Sequence, residues 1–183
     1  MGQIKQPQEV LLITAVFSSL DTAFDWTLCR AEETFGKIAL RSPPFPFEQF
    51  TDYYTPSMGG RLPKEIWAFE KLIDPAVLPQ IKCLTNQWEE EFALTNKAAL
   101  DSALSRPLNI DPGYIDLGKL ILASTKDHAH RIYLSQGIFA ETTLIYTQKH
   151  WQALPWSYPD YQSGNCQTFL TQCRELLKRL RTG

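Results

Sequence analysis

Cysteine is scarce in this chain, and what there is lacks metal-binding spacing. Cys29, Cys83, Cys166 and Cys173 form no C-x-x-C pair, which speaks against a zinc ribbon or a thioredoxin-type redox site. Cys166 and Cys173 are seven apart on an expected helix, about 10 Å along its axis and out of disulfide reach. Four free thiols in a reducing, cytoplasmic setting are expected. Long apolar runs are missing too. Nothing approaches the roughly 18 residues of a membrane span, so no membrane partner is expected. The start, MGQIKQPQEV, has no apolar signal core. Charge bias is absent: 18 Lys and Arg against 20 Asp and Glu leave a net charge of −2. That speaks against nucleic acid as a partner, because phosphate binding rests on excess cations.

What is present is one domain's worth of alternating elements over residues 1–183. Residues 11–17 (LLITAVF) read as a strand buried on both faces. Phe24, Leu28, Ala31 and Phe35 follow at helical spacing, and Gly36 ends that helix. Residues 37–41 give a second strand. Residues 42–60 (SPPFPFEQFTDYYTPSMGG) hold too much proline and glycine for a long element and too many aromatics for disorder. Residues 62–73 fit strand or helix, with strand preferred.

Asp74-Pro75 then opens a helix whose face is Leu78, Ile81, Thr85, Trp88 and Phe92, leaving Glu89 to Glu91 on a solvated side. Residues 96–106 read as a connector. Residues 108–111 read as a short strand stopped by an Asp111-Pro112-Gly113 turn. Residues 117–124 read as a short helix capped by Asp116. Two strands, 129–133 and 138–146, meet at a Gln136-Gly137 hairpin turn. A final helix starts at Ser163 with the stripe Cys166, Phe169, Leu170, Cys173, Leu176, Leu177 and Leu180. The expected fold class is α+β: a ferredoxin-like β-α-β-β-α-β sandwich elaborated by an extra helix, a β-hairpin and a C-terminal helix. An open α/β sandwich of another topology is the alternative.

Several strings carry a resemblance: FPF (45–47), TDYY (51–54), FEKLIDP (69–75), DPGY (111–114), KLILASTKDHAHRIYL (119–134), GIFAETTL (137–144) and YPDY (158–161). On these the chain resembles the bacterial domain-of-unknown-function 4416 family over nearly its whole length; beside that family the stretch 96–105 is long, which implies a surface insertion there. The resemblance implies a bacterial, cytoplasmic protein and no established activity. A GTP-binding label carried by some relatives finds no support in the residues, since no G-x-x-x-x-G-K-[ST] phosphate cradle occurs.

Two constellations could carry chemistry. With a two-residue turn, period-two alternation puts His128, His130 and Glu141 on one face of the hairpin, with Arg131 on the other. His130 and Glu141 are candidates for acid–base work; with His128 they are candidates for a divalent metal. The bland alternative is a structural His–Glu pair. The second constellation is the set of loops that place Asp beside Tyr. Asp52, Asp111 and Asp160, with Tyr54, Tyr114 and Tyr161, are expected to converge on a polar ligand. Lys126 and Arg131 would meet an anionic group on it. Clustered carboxylates could instead hold Mg²⁺, and simple turn-forming and core-capping roles are the structural alternative. The expectation is a domain that binds or acts on a small polar or anionic, nucleotide-like ligand. A non-enzymatic assembly module comes second and RNA binding third; whether the chain is an enzyme, and with what cofactor, stays open.

Overall fold

The computed structural model describes residues 2–97 and 104–182. Most of the 96–105 insertion expected from the sequence therefore lies outside the described residues. The strands are β1 (Val10–Phe17), β2 (Ile38–Arg41), β3 (Phe45–Pro46), β4 (Pro63–Ile73), β5 (Asn109–Ile115), β6 (Lys119–Ser124), β7 (Ile132–Ser135), β8 (Ile138–Thr147) and β9 (His150–Ala153). The α-helices are α1 (Asp21–Phe35), α2 (Thr55–Met58), α3 (Leu78–Asn96) and α4 (Gly164–Thr182). Among the described residues, nine strands form one antiparallel sheet in the order β2-β4-β1-β5-β6-β8-β7, with β3 beside β4 and β9 beside β8. The class is α+β, with a larger sheet than the sequence suggested. The stretch 62–73 is strand from Pro63 onward.

The apolar run of β1 is buried at every position and sits between β4 and β5. Leu11, Ile13 and Ala15 pack with Cys166, Phe169, Leu170 and Cys173 of α4. Leu12 and Val16 pack with Phe24 and Phe35 of α1 and Trp88 and Phe92 of α3. The result is three layers, α1 and α3 on one face and α4 on the other. Each fully buried Leu, Ile, Val or Phe contributes about 1.5–3 kcal/mol, so β1 anchors both cores.

Two expected elements turn out differently. Residues 117–124 are not a helix: after an Asx turn in which Asp116 accepts from the Gly118 N–H, β6 begins. Leu120 and Leu122 enter one core and Ile121 and Ala123 another, so both faces are apolar and helical periodicity misleads. Asp111-Pro112-Gly113 is not a turn either; it lies inside β5.

That placement shapes the site. β5 pairs β1 along its whole length, Phe17 opposite Asn109 through Leu11 opposite Ile115. It pairs β6 only over Gly113–Ile115, while β6 goes on beside β8 as far as Ser124 opposite Phe139. The sheet forks at Pro112, which has no N–H to give the next strand. At the joint the strands come so close that a Cβ on Gly113 would sit 2.3 Å from the Ile121 carbonyl oxygen.

Candidate functional site: a cavity in the fork of the sheet

The diverging ends of β5 and β6 leave the Ile110 peptide groups without a strand partner, and α3 supplies one. Lys82 donates to the Ile110 carbonyl at 2.8 Å and to Asp111 Oδ1 at 3.1 Å. Glu89 Oε1 accepts the Ile110 N–H at 2.7 Å. Lys82 and Glu89 are seven residues apart, two helical turns, and so share a face. Glu89 thus leaves the solvated side the sequence assigned it. It also accepts from Arg106 at 3.0 Å, while Asn109 accepts from Arg106 and donates to Asp111 Oδ2 at 2.7 Å.

Between the prongs lies a cavity of about 600 Å³. Its walls come from the segment after β3 (Phe47, Phe50, Tyr53, Tyr54), from β4 (Lys64), from α3 and β5, from the end of β6 and the bend after it (Ser124, then Thr125 and Lys126), and from Tyr158 to Tyr161. Lys64 Nζ reaches Asp160 Oδ2 at 2.6 Å, and the rings of Phe47, Tyr161 and Phe17 stand 4.5, 4.7 and 5.5 Å from the ammonium. Both partners of this ion pair are almost wholly buried.

The hairpin borders the cavity only through Arg131, just before β7, and Glu141 of β8. Gln136 and Gly137, at φ 55° and 76°, make the expected two-residue turn, and Ser135 faces Ile138 as expected. A register shift at Leu134 then sets Tyr133 opposite Phe139 and Ile132 opposite Ala140. β7 begins only at Ile132, so His128 to Arg131 form a turn and lose strand alternation. His130 Nε2 still meets Glu141 Oε2 at 3.2 Å. Arg131 does not point away: its Nε donates to the same Glu141 oxygen at 2.8 Å. The Arg131 guanidinium also reaches Ser124 Oγ at 2.7 Å, the Lys126 carbonyl at 3.0 Å and the Tyr158 hydroxyl at 3.2 Å, tying three segments together. His128 stacks on His130, and His130 on Trp156, at centroid distances of 5.8 and 5.0 Å. Among the described residues no three His, Cys, Asp or Glu side chains converge as cation ligands.

Of the residues singled out from sequence, Tyr54, Asp111, Lys126, Arg131, Glu141, Asp160 and Tyr161 line the cavity. Asp52 does not, although its neighbours Thr51 and Tyr53 do. Tyr114 does not either. Asp111 and Tyr114 are three apart on one strand and therefore face opposite sides of the sheet. Tyr114 packs beside Leu78 and Ile121 and borders a separate depression near Arg181. His128 and His130 stand outside the lining. Sequence reasoning missed Lys64, Lys82, Glu89, Arg106 and Asn109. The available signal was charge out of place: Lys82 borders the apolar stripe of α3, and Lys64 shares the alternation of Ile66 and Ala68.

The cavity's electrostatics is one of matched opposites. Burial alone would push the Asp111 carboxyl up; Lys82, Lys64 and the bonds from Lys82 and Asn109 outweigh it and hold it below its usual value. Burial wins at Glu89, raising its carboxyl despite Lys82 and Arg106. The Tyr161 phenol is raised well above its ordinary value by burial and by Asp160.

The family described as "Domain of unknown function (DUF4416)" matches residues 8–177. The chain belongs to the DUF4416 family. No curated protein and no solved structure matches it. The DUF4416 match spans β1 through most of α4, and so takes in the fork, α3 and every wall of the cavity. No helix among the described residues is long and apolar enough to cross a membrane.

Proposed function

We propose that this DUF4416 chain binds or acts on a small polar or anionic ligand held in the fork of its sheet. The observation that carries the reading is the cavity itself. Its volume falls within the roughly 300–1,000 Å³ of small-molecule sites. Lys64, Lys82, Arg106, Lys126 and Arg131 line it together with Glu89, Glu90, Asp111, Glu141 and Asp160. Five cations facing five carboxylates favour a polar ligand with at most one anionic group over a polyphosphate. A nucleoside or mononucleotide matches in size and in the aromatic company of Tyr53, Tyr54 and Tyr158. Lys126, whose ammonium lies 4.9 Å from the Tyr53 ring and which joins none of the ion pairs among the described residues, is the group for an anionic end.

A melting-temperature screen of polar metabolites, nucleotides and divalent metals tests this. A ligand at 100 times its Kd adds about 2.7 kcal/mol, roughly 5–10 °C for a domain of this size. Lys126→Ala should weaken the anionic members of any series that binds. A screen in which no polar compound shifts the transition contradicts the proposal.

Further readings go with it. The order β2-β4-β1-β5, antiparallel throughout and served by α1 and α3, supports a ferredoxin-like unit extended by β6 to β9. A bacterial, cytoplasmic setting remains the expectation from the family resemblance. One observation favours a non-enzymatic assembly role as the second reading: Ile132, Tyr133 and Leu134 on the edge strand β7 are 73%, 58% and 40% exposed. RNA on an open sheet face ranks last, because helices cover both faces of the central strands.

A further inference from the structure

Two charged side chains beside the fork stay open while their neighbours are buried. Asp111 keeps 32% of its side chain accessible and Arg106 40%, and both line the cavity. Lys64, Lys82, Arg131, Asp160 and Glu141 keep 5% or less. Asn109 joins the open pair, accepting from Arg106 and donating to Asp111. A carboxylate has about four lone-pair sites. Lys82 takes one on Asp111 Oδ1 at 3.1 Å, and Asn109 takes one on Oδ2 at 2.7 Å. A free acceptor site therefore remains on each oxygen. Arg106 bonds Glu89 and Asn109 through Nη2, and its Nε and Nη1 have no partner among the described residues.

We infer that Asp111 and Arg106 form a subsite for the neutral cis-diol of a ribosyl group. The inference rests on the cavity being the ligand site. The two free acceptor sites sit on the two oxygens of one carboxylate, so two adjacent donors can be taken at once. Hydroxyls suit the place better than N–H groups, because each can donate to Asp111 and accept from Arg106. A ribose holds its two hydroxyls on one side of its ring, as a single carboxylate requires. Charge favours a neutral head here. Lys82 matches Asp111, Arg106 matches Glu89, Lys64 matches Asp160 and Arg131 matches Glu141. An added cation would crowd Lys82 on the same carboxylate, and an added anion would face the open Asp111. Burial opposes ionisation of that carboxylate, but Lys82, Lys64 and Asn109 outweigh it, so Asp111 only accepts at neutral pH. Tyr53 and Tyr158, 67% and 47% exposed on the cavity wall, offer ring faces to the rest of the ligand. Lys126 is left for a phosphate.

Two pairs of probes, each differing by one hydroxyl, test the subsite: ribose 5-phosphate against 2-deoxyribose 5-phosphate, and adenosine 5′-phosphate against its 2′-deoxy analogue. Each is titrated into the ¹⁵N-labelled chain while the amides of Asn109 to Asp111 and of Lys126 are followed. In at least one pair the ribose compound should bind about tenfold or more tightly than the deoxy one, the worth of a hydrogen bond to a charged group. The pair that shows the preference tells a sugar phosphate from a nucleotide. Asp111→Asn should bring that ratio close to one, and Arg106→Gln, at an open position, should reduce it. The ratio in the parent needs no variant, so the test stands even where a variant fails to fold. Equal affinities within both pairs, a ratio unchanged in Asp111→Asn, or no response to any of the four compounds overturns the subsite. If a compound from the melting screen that lacks adjacent hydroxyls moves these amides while none of the four does, the cavity reading survives and the diol subsite alone falls. If no polar compound moves them, both fall.

Discussion

Lys64 on β4 and Asp160 in the turn before α4 are 96 residues apart in sequence and 2.6 Å apart in space, and the cavity closes over them. Removing one member of such a buried pair leaves a bare charge, which costs about 3–5 kcal/mol, whereas replacing both by apolar residues is often neutral. Asp160→Leu should therefore lose about that much in urea unfolding, and Lys64→Met/Asp160→Leu should recover most of it. A double variant as unstable as the sum of the singles would contradict the pairing.

Gly113 is the joint of the fork. Gly113→Ala pushes a methyl into the Ile121 carbonyl and should cost about 1–3 kcal/mol, the usual range for overpacking. Gly118 has open space around the same position, so Gly118→Ala should stay within about 0.5 kcal/mol. Equal losses at the two sites would mean that β5 and β6 do not meet as described.

Asp111 gives the cavity an acid-side signature. Its folded carboxyl is held below the usual value, so its contribution to stability is present above its unfolded pKa, near 3.9, and is lost as pH falls through the lower folded value. Glu89 is raised and acts in the opposite sense: its contribution is fully present below its unfolded value and is lost as pH rises through the folded one. Between pH 5 and 2 the parent should lose more stability than Asp111→Asn, measured by urea unfolding at each pH. Parallel curves would show that Asp111 is not held by its lysines.

The four thiols should react in order of burial. Cys29 is exposed, Cys83 intermediate, and Cys166 and Cys173 buried. Burial, with Asp160 beside it, pushes the Cys166 thiol up to about 12, and burial raises Cys173 as well. Iodoacetamide at pH 8 should label Cys29 first and Cys166 and Cys173 only on unfolding, with four thiols counted in the unreduced, unfolded chain. Native labelling of Cys166 at the rate of Cys29 would contradict the packing of α4.

The amphipathic elements were legible because burial follows sequence period. The α3 face Leu78, Ile81, Thr85, Trp88 and Phe92 is buried as its spacing requires, and so is the α4 stripe from Cys166 to Leu177. β6 was misread because it is apolar on both faces, which erases period two. Asp111-Pro112-Gly113 was misread because a turn-like triplet can also mark the place where two strands part. Much of the lining was found through the company of Asp and Tyr in irregular segments. Lys64 and Lys82 were not, since a buried lysine is recognised by its partner, and Asp160 and Ile110 are far from them in the chain.

The most direct test is a crystal structure of the chain soaked with the compound that most raises its melting temperature. The ligand should lie between Asn109 to Asp111 on one prong of the fork and Ser124 to Lys126 on the other. A ligand seated on the β7 edge, or in the depression beside Tyr114 and Arg181, would contradict the fork as the functional site.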